Sequence, residues 1–270
     1  MCIRDRNLNA TFHTVHPDLE LAHHELGQLY LNKDSFGPAI SNLKASTRLA
    51  SKIWGDASLM YARGANQLGV AYHRAGQNAT ALEIHKAAEL IRVHKLGEDD
   101  PLVAHSRLNM ASANFDMRAY GAAEEDLKKA VAAFDVADPA QAHLKNLGLA
   151  RLSTVYMLTN RPNQAEPILA DLLKLQEADE KAPPIDLADL QYRLGIAQAR
   201  QGKYDAAEPI LREAYATQKR IEGPSGKSTI KSMQAIALLL KQTRRTEEST
   251  QLENEIRRVA KHSDTDEFVR

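Results

Sequence analysis

Large apolar residues recur along the chain at a fixed interval of 42 positions. The register passes through Leu26, Leu68, Met110, Leu152, Leu194 and Ile236. Thirteen residues after each of these anchors comes a small residue, in the order Ala39, Ala81, Ala123, Ala165, Ala207 and Ser249. The residue after each anchor is also small, and the fourth is bulky or planar, so these positions share one helical face. The pattern predicts a series of helix–turn–helix repeats.

Each repeat contains two predicted helices separated by a turn. In the second repeat Gly76 suits a left-handed helix end, and Asn78 can cap the helix that follows. We expect Asp56 and Asp186 to cap the first helices of two repeats in the same way. The second helices carry the alanine register and, seventeen residues after the anchors, the leucines Leu43, Leu127, Leu169 and Leu211. His85 takes the leucine's place in the second repeat, and we interpret it as a packed or half-buried core histidine.

Six repeats fit this register, at residues 17–55, 56–97, 98–139, 140–181, 182–223 and 224–258. The sixth is degraded, with Thr246, Ser249 and Glu253 in place of the usual aromatic, alanine and leucine. Such polar substitutions are expected where a terminal repeat caps a stack. We expect residues 259–270 to form a tail. Residues 1–16 form a leader outside the register, in which MCIRDR resembles translated sequencing-adapter sequence and the remainder resembles the end of a preceding repeat.

The repeat resembles the tetratricopeptide repeat (TPR), whose usual period is about 34 residues. The resemblance rests on Leu68-Gly69, Tyr72, Gly76, Ala81-Leu82 and Ala88. The longer period and the linker Leu96-Gly97-x-x-x-Pro101-x-x-Ala104 are similar to the repeats of kinesin light chains and their bacterial relatives. The resemblance covers residues 17–258. It implies an all-α fold, a right-handed α-solenoid of about six TPR repeats with a C-terminal capping helix.

The composition of the chain argues against several classes of partner and site. Lys+Arg and Asp+Glu both number 35, so the net charge is zero, which argues against nucleic acid or an anionic membrane as the partner. No apolar run approaches the length of a membrane span. Cys2 is the single cysteine, so the chain has no internal disulfide and no cysteine metal site. We expect a cytoplasmic protein.

The sequence contains no convincing catalytic, metal or cofactor motif. Gly226-Lys227-Ser228 ends like a phosphate-binding loop, but Ile221 stands where that loop needs its first glycine, and no strand precedes it. The N-terminal histidines lack the i, i+4 pair of a helical zinc site. They are His13, His16, His23 and His24. We therefore predict a protein without enzymatic activity or cofactor.

The resemblance implies a peptide or protein partner, bound in the concave groove that the first helices line. Amides and arginines on these helices can bond a peptide backbone and pair with carboxylates, which would suit an acidic partner. The residues predicted to line the groove are Arg63, Asn66, Arg74, Asn109, Arg151, Arg193 and Arg200.

The leading interpretation is an interaction scaffold or adaptor. The alternative is the C-terminal regulatory region of a larger signalling protein, such as a serine/threonine kinase or signalling ATPase, with its catalytic domain upstream. The sequence leaves the oligomeric state open.

Overall fold

The computed structural model describes residues 15–135 and 137–266, with the backbone alone from residue 260 onward. Within these ranges every regular element is an α-helix. The helices are α1 (Pro17–Asn32), α2 (Phe36–Trp54), α3 (Leu59–Arg74), α4 (Asn78–Leu96), α5 (Pro101–Asp116), α6 (Tyr120–Ala133), α7 (Pro139–Leu158), α8 (Pro162–Glu177), α9 (Pro184–Ala199), α10 (Tyr204–Glu222), α11 (Lys227–Gln242) and α12 (Thr246–Asp266). They pair in sequence into six helix–turn–helix repeats, which confirms the predicted all-α repeat architecture.

The chain divides into two compact units, one ending at Arg151 and the other beginning at Leu152, both within α7. In the first unit consecutive helices from α1 to α6 pack against one another, and in the second unit consecutive helices from α8 to α12 do the same. First helices of neighbouring repeats also touch, α1 with α3 and α3 with α5 in one unit, and α9 with α11 in the other. Each unit is therefore a stack of helix pairs, the arrangement of an α-solenoid.

The turn between the two helices of a repeat has the same backbone geometry in all six. The residue eight positions after the anchor adopts a left-handed conformation in Asp34, Gly76, Arg118, Asn160, Gly202 and Arg244. The next residue donates its N–H to the carbonyl of the residue four positions after the anchor, as Gln77 does to Tyr72 at 2.9 Å. This six-to-one bond ends the first helix and turns the chain back into the second.

The core of each repeat forms where a small residue on the first helix meets a large one on the second. A methyl group on Gly27 would lie 2.5 Å from Cγ of Leu43, and one on Gly195 would lie 2.6 Å from Cγ of Leu211. In the second repeat the ring of His85 fills the leucine's place and would meet a methyl group on Gly69 at 2.6 Å. His85 is fully buried, as the sequence predicted.

The predicted helix caps were wrong in detail. Ser58 rather than Asp56 caps α3, and its Oγ accepts from the backbone N–H of Tyr61 at 3.1 Å. Asn78 is the first residue of α4, because the six-to-one bond leaves Gln77 as the flanking residue. Asp186 lies in the first turn of α9, where its charge opposes the helix dipole.

The last helix is longer than expected. Helix α12 continues to Asp266, into the segment predicted as a tail from residue 259. The sequence offers no glycine or proline to stop it there, and alanine and lysine at 260 and 261 favour helix. The leader, with Cys2 and His13, lies almost wholly outside the described residues. No described helix is long and apolar enough to cross a membrane.

Candidate functional site

The residues predicted to line a groove lie on the first helices of repeats two to five. Helix α3 carries Arg63, Asn66 and Arg74, α5 carries Asn109, α7 carries Arg151, α9 carries Arg193, and Arg200 directly follows α9. Each forms a polar contact with the first helix of a neighbouring repeat, or with the turn that follows that helix, 39 to 43 residues away. These side chains therefore bridge successive first helices within each unit.

The first bridge holds a buried carboxylate. Glu20 on α1 is 1% exposed, and its oxygens accept from Nη2 of Arg63 at 3.1 and 2.9 Å. The Oγ of Ser46 on α2 donates to the same carboxylate at 2.7 Å. Arg63 keeps 37% of its side chain exposed. A buried acid is thus neutralised by an arginine that still reaches the surface.

The second bridge is a chain of amides anchored on His85. The Oδ1 of Asn66 accepts from Nδ1 of His85 at 3.1 Å and from Nδ2 of Asn109 at 3.2 Å. Burial, with smaller effects from the charges of His73, His105 and Arg92, lowers the pKa of His85 to about 3, so the ring is neutral at pH 7. Asn66 is 2% exposed. It therefore orients Asn109, which is only partly buried, and does not itself present a surface.

The other contacts of the first unit use arginines. Arg74 donates from Nη2 to Oδ1 of Asp34 at 2.6 Å, and its guanidinium lies 5.8 Å from the ring centroid of Phe36. Arg151 donates to Oγ of Ser112. Burial lowers the pKa of the Arg151 guanidinium, which nevertheless stays charged.

In the second unit two arginines make the equivalent contacts. Arg193 donates to Oγ of Ser153 at 2.9 Å and to Oγ1 of Thr154 at 2.7 Å, and burial lowers its pKa. Arg200 donates from Nη1 to the backbone carbonyl of Met157 at 2.8 Å. These arginines face hydroxyl and carbonyl oxygens, so their charges are not neutralised by these bonds.

Sequence reasoning missed polar residues inside the stack. Arg92 on α4 is buried and donates from Nη1 to Oγ of Ser106 at 2.7 Å and to the carbonyl of Leu102 at 2.8 Å. In the same register of the second unit, Ser232 donates to Oε1 of Gln218 at 2.6 Å. The sequence does contain a signal for these bonds, because the pair Arg92 and Ser106 recurs 126 positions later as the polar pair Gln218 and Ser232. The apolar residues that define the repeat do not reveal these polar pairs.

One carboxylate in the first unit has a strongly perturbed environment. Burial raises the pKa of Asp126 to about 6, although Asn114 donates a hydrogen bond to its Oδ2 at 2.9 Å. Glu89 and Glu125 raise the pKa further. Asp126 has no histidine or cysteine partner, and no group of three His, Cys, Asp or Glu in the part of the chain described could hold a metal ion.

Stacked helix pairs joined by polar bridges define a helical-repeat protein. The sequence matches the tetratricopeptide repeat over residues 60–135 and 186–262, more than half of the chain, and the chain belongs to the tetratricopeptide repeat family. Proteins of this family commonly serve as interaction scaffolds. A search of curated proteins found no match to the sequence.

Three solved structures show the same fold. The nearly identical TPR-like repeats of a candidate kinesin light chain from Podosopora anserina are 20% identical, with a TM-score of 0.64 over 76% of this chain and 97% of that one. BtubC (BKLC) from P. vanneervenii is also 20% identical, with a TM-score of 0.65 over 83% and 94%. YrrB, a TPR protein with an unusual peptide-binding site, is 14% identical, with a TM-score of 0.57 over 79% and 91%.

Proposed function

We propose that this chain is a non-catalytic adaptor that binds a peptide or protein partner along the exposed face of its first helices. Its family and the peptide-binding site of the similar protein YrrB support this function. In the first repeat the buried acid and hydroxyl join helices, as the bonds of Glu20 with Ser46 and Arg63 show. Such a scaffold is suited to presenting a fixed row of polar groups.

The observation that carries the proposal is the orientation of Asn109. One N–H of its amide is held by the buried Asn66, which is held in turn by His85. Within the described residues this is the one side-chain bond that Asn109 makes, so its Oδ1 and second N–H remain available. A peptide backbone offers both an acceptor and a donor to such an amide. Because the amide is already oriented, binding costs less side-chain entropy.

A quantitative affinity capture tests the proposal. The full chain and Asn109→Ala are used as baits in parallel, with Lys174→Ala as a control for an exposed residue elsewhere. We expect a partner that the wild type and the control both capture and Asn109→Ala loses. A partner that all three capture equally would contradict binding at this face.

A second pair of variants extends the test into both units. Arg151→Glu and Arg193→Glu together reverse two charges, and each glutamate can still accept a hydrogen bond from the hydroxyl that its arginine contacts. We expect weaker capture of an acidic partner with an unchanged melting temperature. Unchanged capture would exclude both arginines from the binding surface.

A further inference from the structure

Helix α2 differs from the other second helices in its charges. It contains Lys44, Arg48 and Lys52, spaced one turn apart, and no aspartate or glutamate. At the register of Lys44, three other second helices also carry a cation, and each cation pairs with a glutamate on its own helix. The pairs are Lys86 with Glu83 at 3.1 Å, Lys128 with Glu124 at 2.6 Å, and Arg212 with Glu208 at 2.7 Å. Helix α2 lacks this internal compensation.

The three cations also lack acidic partners on other helices. Among the described residues, none of Lys44, Arg48 and Lys52 forms a salt bridge, and all three are exposed. The Nζ of Lys44 lies 5.3 Å from the ring centroid of Tyr72, which holds one end of the row in place. The row is therefore a positive surface without salt-bridge partners, on a chain whose net charge is zero.

A cleft of about 450 Å³ lies beside this row, between α2 and α3. Its lining includes Lys44, Arg48, Ser51, Lys52, Tyr61 and Leu68. Asp56 is the single acid in the lining, so the cleft keeps a net charge of about +2. Tyr61 and Leu68 lie on roughly the opposite side of α3 from Arg63 and Asn66, at 100° per residue. The cleft is thus separate from the first-helix face proposed above.

We propose that this cleft binds an extended acidic segment of a partner protein, with carboxylates at alternate residues. Cations four residues apart on a helix are separated by about 6 Å along its axis. Alternate side chains of an extended peptide repeat at about 6.6 Å on one side, so three carboxylates can face the three cations in register. The Ser51 and Tyr61 hydroxyls in the lining can donate to the same carboxylates or to peptide carbonyls.

The shape and charge of the cleft favour a peptide over nucleic acid. The cationic row is only about 12 Å long, and the net charge of the chain is zero, so a polyphosphate backbone would find few further contacts. Asp56 at the cleft would repel a phosphate dianion more strongly than a single carboxylate. The residues offer several hydrogen-bond donors and one apolar floor residue, Leu68, which suits a short peptide segment.

The test is a titration of the isotopically labelled full chain with the synthetic peptide GESESEG, followed by amide chemical shifts at low salt. We expect saturable shifts confined to residues 44–68, and we expect the glutamine peptide GQSQSQG to cause none. The variant Lys44→Glu/Arg48→Glu/Lys52→Glu should bind the peptide at least about tenfold more weakly, since three surface charge pairs become repulsive. Arg151→Glu/Arg193→Glu should bind the peptide as the wild type does, which separates this cleft from the proposed groove.

The control variant is Lys174→Glu/Arg220→Glu/Lys241→Glu, which changes the net charge equally at exposed positions outside the cleft. Equal losses of affinity in the two triple variants would overturn the proposal, because attraction would then depend on total charge alone. Shifts centred outside residues 44–68 would overturn it too. If a single-stranded oligonucleotide or a singly phosphorylated peptide binds at the same residues more tightly than GESESEG, the proposed acidic segment is wrong and that ligand class is the better assignment.

Discussion

Arg63 reaches back from α3 to α1 and donates two hydrogen bonds to the buried carboxylate of Glu20, at 3.1 and 2.9 Å. In other repeats the positions of Glu20 and Ser46 are both filled by fully buried alanine. The pairs are Ala62 with Ala88, Ala104 with Ala130, and Ala188 with Ala214. The first repeat has therefore replaced a simple apolar contact with a charged one that depends on the next repeat.

This relationship predicts a strong coupling between the two residues. Arg63→Ala should destabilise the chain by about 2–3 kcal/mol, because it leaves the Glu20 carboxylate buried without a countercharge. Glu20→Ala/Ser46→Ala restores the alanine pair and should stay within about 1 kcal/mol of wild type. In the Glu20→Ala/Ser46→Ala variant, adding Arg63→Ala should lower the free energy of unfolding only slightly. Urea denaturation of the four proteins measures the coupling, and an equal cost of Arg63→Ala in both backgrounds would refute it.

The turn residues give a second prediction. Gly76 and Arg118 occupy equivalent positions with left-handed backbones, at φ of 77° and 61°. Because a side chain is disfavoured there, Arg118→Gly should stabilise the chain by up to about 1 kcal/mol, although glycine also adds entropy to the unfolded chain. Gly76→Ala should destabilise it by about 1 kcal/mol. The melting temperatures of the two variants check whether Arg118→Gly stabilises and Gly76→Ala destabilises the chain. A loss of stability in Arg118→Gly would show that the arginine side chain makes a stabilising contact.

The anchor register predicts unequal effects of one substitution at two equivalent sites. Leu68 is 8% exposed and packs with Leu43 and Tyr72, whereas Leu26 at the same position of the first repeat is 43% exposed. Leu68→Ala should cost about 2–5 kcal/mol through lost burial and a cavity. Leu26→Ala should cost less than about 1 kcal/mol. Comparable losses in chemical denaturation would mean that Leu26 is covered in solution.

The repeat architecture could be predicted from the sequence because it depends on residue size at fixed intervals. Alanine and glycine columns mark close helix contacts, and the leucine column marks what fills them, as Gly27 and Leu43 show. The helix caps could not be assigned as well, since the six-to-one turn bond moves the helix start by a residue and several polar side chains compete for the cap. Asp56 and Ser58 illustrate that competition.

The predicted groove residues were placed on the first helices by their spacing alone. Periodicity identifies the face of a helix, but it does not identify the partner of a side chain across two repeats. The burial of Asn66 and the bond from Arg63 to Glu20 depend on the distance between α1, α3 and α5. The same reason explains why unpaired cations on α2 did not stand out, because pairing is a property of neighbours in space.

His85 supplies the last prediction, which concerns acid stability. Its pKa is about 3 in the folded chain against 6.5 for an ordinary histidine, so protonation favours unfolding. A depressed pKa contributes stability that is fully present above pH 6.5 and is lost as the pH falls toward 3. In that window the loss approaches about 1.4 kcal/mol per pH unit for this one proton. His85→Leu introduces the residue that four other repeats carry and should remove this part of the pH dependence. Denaturation at pH 7.5 and at pH 4.5 should therefore show a stability advantage for the variant that grows as the pH falls. A difference in unfolding free energy that is the same at both pH values would mean that His85 is hydrated and titrates normally. The variant should also release Asn66, which would leave Asn109 less firmly oriented.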